Sequence, residues 1–94
     1  MKEKADTEKK LDATQVFTNL MKRITAAPDP DSVTLNIDEA VVYTQINRQL
    51  LAQMRYRGDG PVFIKPSPKT VLYRKGDIDE WLNGNLRHTT AVAA

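Results

Sequence analysis

Four clusters of breaking residues cut this 94-residue chain into short pieces: Pro28-Asp29-Pro30, Gly58-Asp59-Gly60-Pro61, Pro66-Ser67-Pro68 and Gly84. Proline removes an amide donor and fixes φ, and glycine admits the left-handed conformation that ends helices, so no regular element runs through them. Between the clusters the hydrophobic period changes. It is helical before Gly58, strand-like over Val62 to Lys65 and Thr70 to Arg74, and helical again from Ile78 to Asn83. The expected fold class is therefore α+β and mostly helical: helix, helix, two-stranded hairpin, helix, preceded by an additional N-terminal amphipathic helix.

The first helix announces itself at Leu11 and Asp12. Asp12 can cap, Gln15 completes a capping box, and Leu11 with Val16 has the spacing of a hydrophobic staple. Val16, Phe17, Leu20, Met21 and Ile24 then form one apolar stripe to about Thr25. That stripe either packs back on its own domain or offers Phe17, Leu20, Met21 and Ile24 to a second copy or a partner protein. Residues 1 to 10 are polar and mixed in charge, which predicts disorder. Asn36 caps the next helix, with Asp38 and Glu39 in its first turn and Ile37, Ala40, Val41 and Thr44 on one face. Gln45-Ile46 is a short connection, Asn47 caps a helix to about Arg57, and Gly58 stops it. Gly76-Asp77 opens the last helix, with Trp81 as its core anchor. The expected division is 1 to 33 (start, helix and Pro-Asp linker), 34 to 83 (the main module) and 84 to 94 (a flexible tail).

Charge is concentrated. Residues 47 to 75 hold seven basic side chains (Arg48, Arg55, Arg57, Lys65, Lys69, Arg74, Lys75) against Asp59 alone, although the whole chain is only +2. A basic patch of this kind is the footprint of a protein that meets a polyanion. On the helix after Asn47, Leu50, Leu51 and Met54 point to one side, while Arg48, Gln49, Ala52, Gln53 and Tyr56 point to the other with Arg55 at the flank. Arginine and glutamine suit base edges, and a small Ala52 lets a helix sit deep in a groove. Around the hairpin tip, Lys65, Ser67, Lys69 and Thr70 offer charges and hydroxyls to a sugar-phosphate backbone, with Arg74 further along the second strand. Asn47 and these side chains are the candidate DNA-binding residues.

Residues 35 to 82 resemble the small winged helix-turn-helix proteins of the excisionase and AlpA type, relatives of the MerR DNA-binding domain. The resemblance rests on Arg57-Gly58-Asp59-Gly60-Pro61, Phe63-Ile64-Lys65, Val71-Leu72-Tyr73-Arg74 and Asp77-Ile78-Asp79-Glu80-Trp81-Leu82, in that order. It covers about half of the chain. Two departures stand out: Thr44-Gln45 replaces the family's usual leucine-glycine pair, and Pro66-Ser67-Pro68 replaces its glycine-rich wing tip. The resemblance implies a MerR-like winged helix-turn-helix that acts as an excisionase, or recombination directionality factor, of a phage or integrative element. Such a protein binds and bends double-stranded DNA near attachment sites, assembles head to tail, and directs an integrase towards excision. An AlpA-type transcriptional regulator is the alternative in the same fold, and an adaptor that uses the N-terminal stripe without DNA is the alternative from another class.

Enzymatic readings find little support. There is no cysteine, the single histidine (His88) lies in the tail, and no phosphate-binding glycine loop is present. Tyr73 lacks the basic and histidine partners of a recombinase nucleophile, and Asp77, Asp79 and Glu80 suit a helix start better than a metal. No cofactor, metal, small-molecule substrate or membrane partner is expected, and the expected location is the bacterial cytoplasm, on the nucleoid. Arg57-Gly58-Asp59 reads as a helix stop and turn, not as an adhesion ligand.

Overall fold

The computed structural model of the chain describes residues 12–87. Among them, four α-helices and three strands run in the order α1 (Ala13–Ala26), a 3-10 turn (Pro30–Ser32), β1 (Thr34–Leu35), α2 (Ile37–Thr44), α3 (Arg48–Arg57), β2 (Ile64–Ser67), β3 (Thr70–Arg74) and α4 (Lys75–Gly84). The strands form an antiparallel sheet in the order β1–β3–β2. The expectations for residues 1 to 10, the Leu11 staple, His88 and most of the tail lie outside the described residues.

Local chemistry starts the first three helices. The Gln15 amide donates to the Asp12 carboxylate at 3.2 Å, but the Gln15 side chain donates forward to Asn19, so this is a single cap and not the expected box. The box occurs instead at α2: the Glu39 amide donates to Asn36 Oδ1 (2.8 Å) and the Asn36 amide to Glu39 Oε1 (2.9 Å). Asn47 Oδ1 accepts from the Leu50 amide at 2.7 Å to start α3. α4 has no side-chain cap; its Lys75 amide donates to the Val33 carbonyl at 2.9 Å, so the residue before β1 takes up that donor.

The core joins Leu20 and Ile24 of α1 to Leu35, Ala40, Leu51, Tyr73 and Ile78, drawing on all four helices, β1 and β3. Of the two readings of the α1 stripe, packing back on the domain is the one that holds for Leu20 and Ile24, which are buried and unavailable to a partner, and residues 13 to 33 do not form an arm apart from the module. The physical reason is that burying a leucine or isoleucine stabilises by about 1.5–3 kcal/mol, and α2 supplies the cover. Arg23 reinforces the docking by pairing with Glu39 at 2.6 Å and donating to the Thr34 carbonyl at 3.1 Å. The Pro-Asp linker is likewise fastened: Lys75 lies 3.6 Å from Asp31, and a Cβ on Gly76 would sit 3.0 Å from Asp31 Cβ.

Three further differences concern the sheet and α4. β1 adds a third strand, with Thr34 opposite Arg74 and Leu35 opposite Tyr73. Two residues are too few to show alternation in a sequence. Strand β2 begins at Ile64 and includes Pro66 and Ser67, and the ladder is irregular between Ile64 and Ser67, as expected where proline cannot donate. Ile78, not Trp81, is the buried anchor of α4. Trp81 is half-buried and donates its indole N–H to the Asp59 carbonyl at 3.1 Å, fastening the turn after α3.

Leu20→Ala should lower stability by about 2–5 kcal/mol, and deletion of residues 1–27 should unfold the domain, both read by thermal denaturation. A truncated chain that unfolds as cooperatively as the full chain would restore the independent arm.

Candidate nucleic-acid interface

α3 presents the exposed side chains Gln49, Ala52, Gln53 and Tyr56, with Arg57 beyond them, and these five line one open recess. Tyr56 is 94% exposed. The opposite side of the helix holds buried Leu51 with half-buried Leu50 and Met54. Gly58 ends the helix at φ 82°, with its amide donating to the Met54 carbonyl, and Arg57 pairs with Asp59 at 3.0 Å. Gly60 is required where the chain turns back, because a Cβ there would lie 2.7 Å from Met54 Cβ.

The basic side chains divide by environment. Arg55 is half-buried and donates to the Tyr73 hydroxyl at 2.6 Å, so it joins α3 to β3 instead of standing free. Arg48 is exposed and paired with Asp38 at 2.5 Å. A surface pair of this kind contributes only about 0–1 kcal/mol, so a phosphate can replace Asp38. At the hairpin tip, Lys65 Nζ donates to the Pro68 carbonyl (2.8 Å) and Ser67 donates to the Thr70 hydroxyl (2.9 Å), which closes a tip without glycine. Lys69 is exposed and makes no hydrogen bond or ion pair among the described residues.

A second recess brings elements together: Asn36 and Asp38 at the start of α2, Arg48 at the start of α3, and Lys69, Thr70 and Leu72 of the hairpin. Seven of the expected site residues thus fall into two adjacent groups that share α3, one polar and neutral (Gln49, Ala52, Gln53, Tyr56), the other carrying the charge (Arg48, Lys69, with Thr70), while Arg55, Lys65 and Ser67 line neither recess. Asn47 caps α3 at their junction. Arg74 is not in either group. It lies four residues along β3 from Thr70, about 13 Å at strand spacing, and its Nε is 3.8 Å from Asp77. Sequence reasoning passed over Arg57 and Asp38. The first was legible as the i+4 neighbour of Gln53, whereas Asp38 had been given only to the helix dipole.

Two devices fix α2 against the rest. Gln45 holds φ 67° and is the one non-glycine residue with positive φ among those described, in the place where the resembling family carries glycine. Its side chain donates to the Val42 carbonyl at 3.1 Å, and Thr44 Oγ1 accepts from the Ile46 amide at 3.1 Å, locking the turn into α3. Across the molecule, Tyr43 donates to Asp79 at 2.5 Å and Lys75 donates to the same carboxylate at 2.8 Å. Burial opposes ionisation of Asp79, but the bonds from Lys75 and Tyr43 outweigh it and hold its pKa below 3.8. The bond to Asp79 raises Lys75 above 10.5, and burial followed by the same carboxylate raises Tyr43 above 10.0.

No protein-family model matches the chain, and no curated protein is significantly similar to it. Among the described residues, no helix is long and apolar enough to cross a membrane, and no group of three His, Cys, Asp or Glu side chains is placed to hold a metal.

Gln45→Gly should raise stability by about 0.5–1 kcal/mol, because relief of the left-handed strain exceeds the entropy glycine adds to the unfolded chain; a loss of stability in urea denaturation would contradict this. The Asp79 contribution should be complete above the unfolded carboxylate pKa and fade as pH falls below about 4. Those of Lys75 and Tyr43 should persist to about pH 10 and fade as pH rises further. Asp79→Asn should flatten both limbs, and an unchanged pH profile of unfolding would remove the bridge from the account.

Proposed function

We propose that the chain is a sequence-specific DNA-binding protein of the winged helix-turn-helix type, with α2 and α3 as the helix pair, α3 as the recognition helix and β2–β3 as the wing. The observation that carries the reading is the adjacency of an exposed, uncharged polar face on α3 to a basic recess shared by the start of α3 and the hairpin tip. A helix face of glutamines suits base edges, and charges set beside it suit the flanking phosphates. An α-helix is about 10–12 Å across, which suits a major groove about 12 Å wide, and the ten residues of α3 give a face about 15 Å long to lay in it.

Within that class the role proposed is architectural: a recombination directionality factor that bends DNA beside attachment sites and sets an integrase towards excision, with the strand chemistry belonging to the integrase. A single module buries only about 600–1,000 Å² on DNA, so specificity calls for neighbouring copies or a partner. Of the stripe on α1, Phe17 and Met21 line an open apolar recess with Thr18 and Lys22, and they are the surface proposed for such a contact.

Binding to duplex DNA, followed by fluorescence anisotropy across salt, tests the reading. With about two phosphates met by Arg48 and Lys69, log affinity should fall with log salt at a slope of about −1.8. Lys69→Ala should weaken all duplexes alike and make the slope shallower by about one. Gln53→Ala should cost about 1–3 kcal/mol on the preferred duplex only. Affinity independent of salt, or identical effects of both changes on preferred and random duplexes, would remove this assignment.

A further inference from the structure

We infer that the recognition surface of α3 is built for A·T base pairs, with Gln49 and Gln53 reading adenines and Ala52 and Tyr56 packing on thymine methyl groups. This rests on the DNA-binding reading and goes beyond it to the class of target. Guanine is read chiefly by arginine, which donates two bonds to O6 and N7. Helix α3 carries three arginines, and none has a free guanidinium at the centre of the exposed face. Arg55 is turned inward to the Tyr73 hydroxyl at 2.6 Å. Arg57, at the last position of the helix, is held 3.0 Å from Asp59 in the following turn. Arg48, at the first position, pairs with Asp38 and shares its recess with Lys69 and Thr70, on the side suited to phosphate.

What the centre of the face offers is uncharged. Gln49 and Gln53 are exposed, make no side-chain hydrogen bond among the described residues, and line one recess with Ala52 and Tyr56, with Arg57 at its end. Each glutamine amide has one acceptor and two donors, which match the N6 donor and N7 acceptor of adenine. Four residues of helix advance about 6 Å, close to two base-pair steps of about 3.4 Å, so the two glutamines address adenines about two steps apart. The Ala52 methyl and the Tyr56 ring supply apolar surface between and beyond them, where the C5-methyl of thymine is the apolar group a major groove presents. Tyr56 would otherwise be an aromatic ring left almost wholly in water.

The test uses the full chain. Selection from a pool of randomised duplexes at fixed salt should enrich A·T pairs over a core of a few base pairs. On the selected duplex, replacing thymine by uracil removes only the methyl group and should weaken binding about fourfold. Replacing adenine by 7-deazaadenine removes N7 and should weaken it at least about fivefold. In the Gln49→Ala, Gln53→Ala double variant, checked for an unchanged melting temperature, the 7-deazaadenine effect should shrink to within about twofold. Because the altered groups lie on the DNA, the result does not depend on a variant that folds. Enrichment of G·C pairs, or salt-dependent binding without preference, would overturn this inference while leaving DNA binding in place. Retention of no duplex at any salt would overturn both.

Discussion

The hydroxyl of Tyr73 accepts a hydrogen bond from Arg55 at 2.6 Å, and its ring is the largest side chain wholly removed from solvent. Tyr73 sits on the central strand of the sheet, paired with Leu35 on one side and packed 6.5 Å from the Phe63 ring at a tilt. Through this one residue the hairpin, the N-terminal strand and α3 share a common anchor. A buried phenol without a partner would be costly, and a half-buried guanidinium likewise, so each satisfies the other. The angle between α3 and the hairpin follows from that contact. Were it lost, the polar face of α3 and the basic tip of the hairpin would no longer be held in one relation, and they could not meet one rigid duplex together.

This arrangement also sorts the charge. The excess of basic residues between 47 and 75 is less a uniform patch than a set of separate tasks. Arg55 holds the helix to the strand, Lys65 closes the hairpin tip, Lys75 holds within α4 the Asp79 carboxylate to which Tyr43 of α2 donates, and Arg74 sits near Asp77. Arg48 and Lys69 are left as the most available charges, on two elements that share a recess. A count of lysines and arginines therefore overstates how many phosphates such a surface could neutralise.

Features set by neighbouring residues were legible before any coordinates. The caps at Asn36 and Asn47 and the stop at Gly58 stand where side-chain acceptors and a left-handed glycine are needed, because those bonds span three or four residues. The outward face of α3 followed from helical period alone. Features set by distant residues were not legible. The pairing of Thr34 with Arg74 joins residues forty apart and leaves no periodic trace in a two-residue strand. The stripe on α1 was visible, but periodicity does not say what covers it, and only the packing on α2 makes Leu20 and Ile24 core. Among the candidate site residues the same holds for Arg55, whose partner Tyr73 lies eighteen residues away, whereas Lys65 and Arg74 meet Pro68 and Asp77 only three residues on.

The most direct test of one surface built from α3 and the hairpin tip is a backbone amide titration by NMR with a duplex short enough to hold one copy of the protein. Shifts should cluster at Asn47–Arg57 and Lys65–Thr70, and at the start of α2 beside them, while the outer face of α1 around Phe17 and Met21 and the end of α4 stay unchanged. Shifts confined to α1 or α4, with α3 silent, would contradict the account.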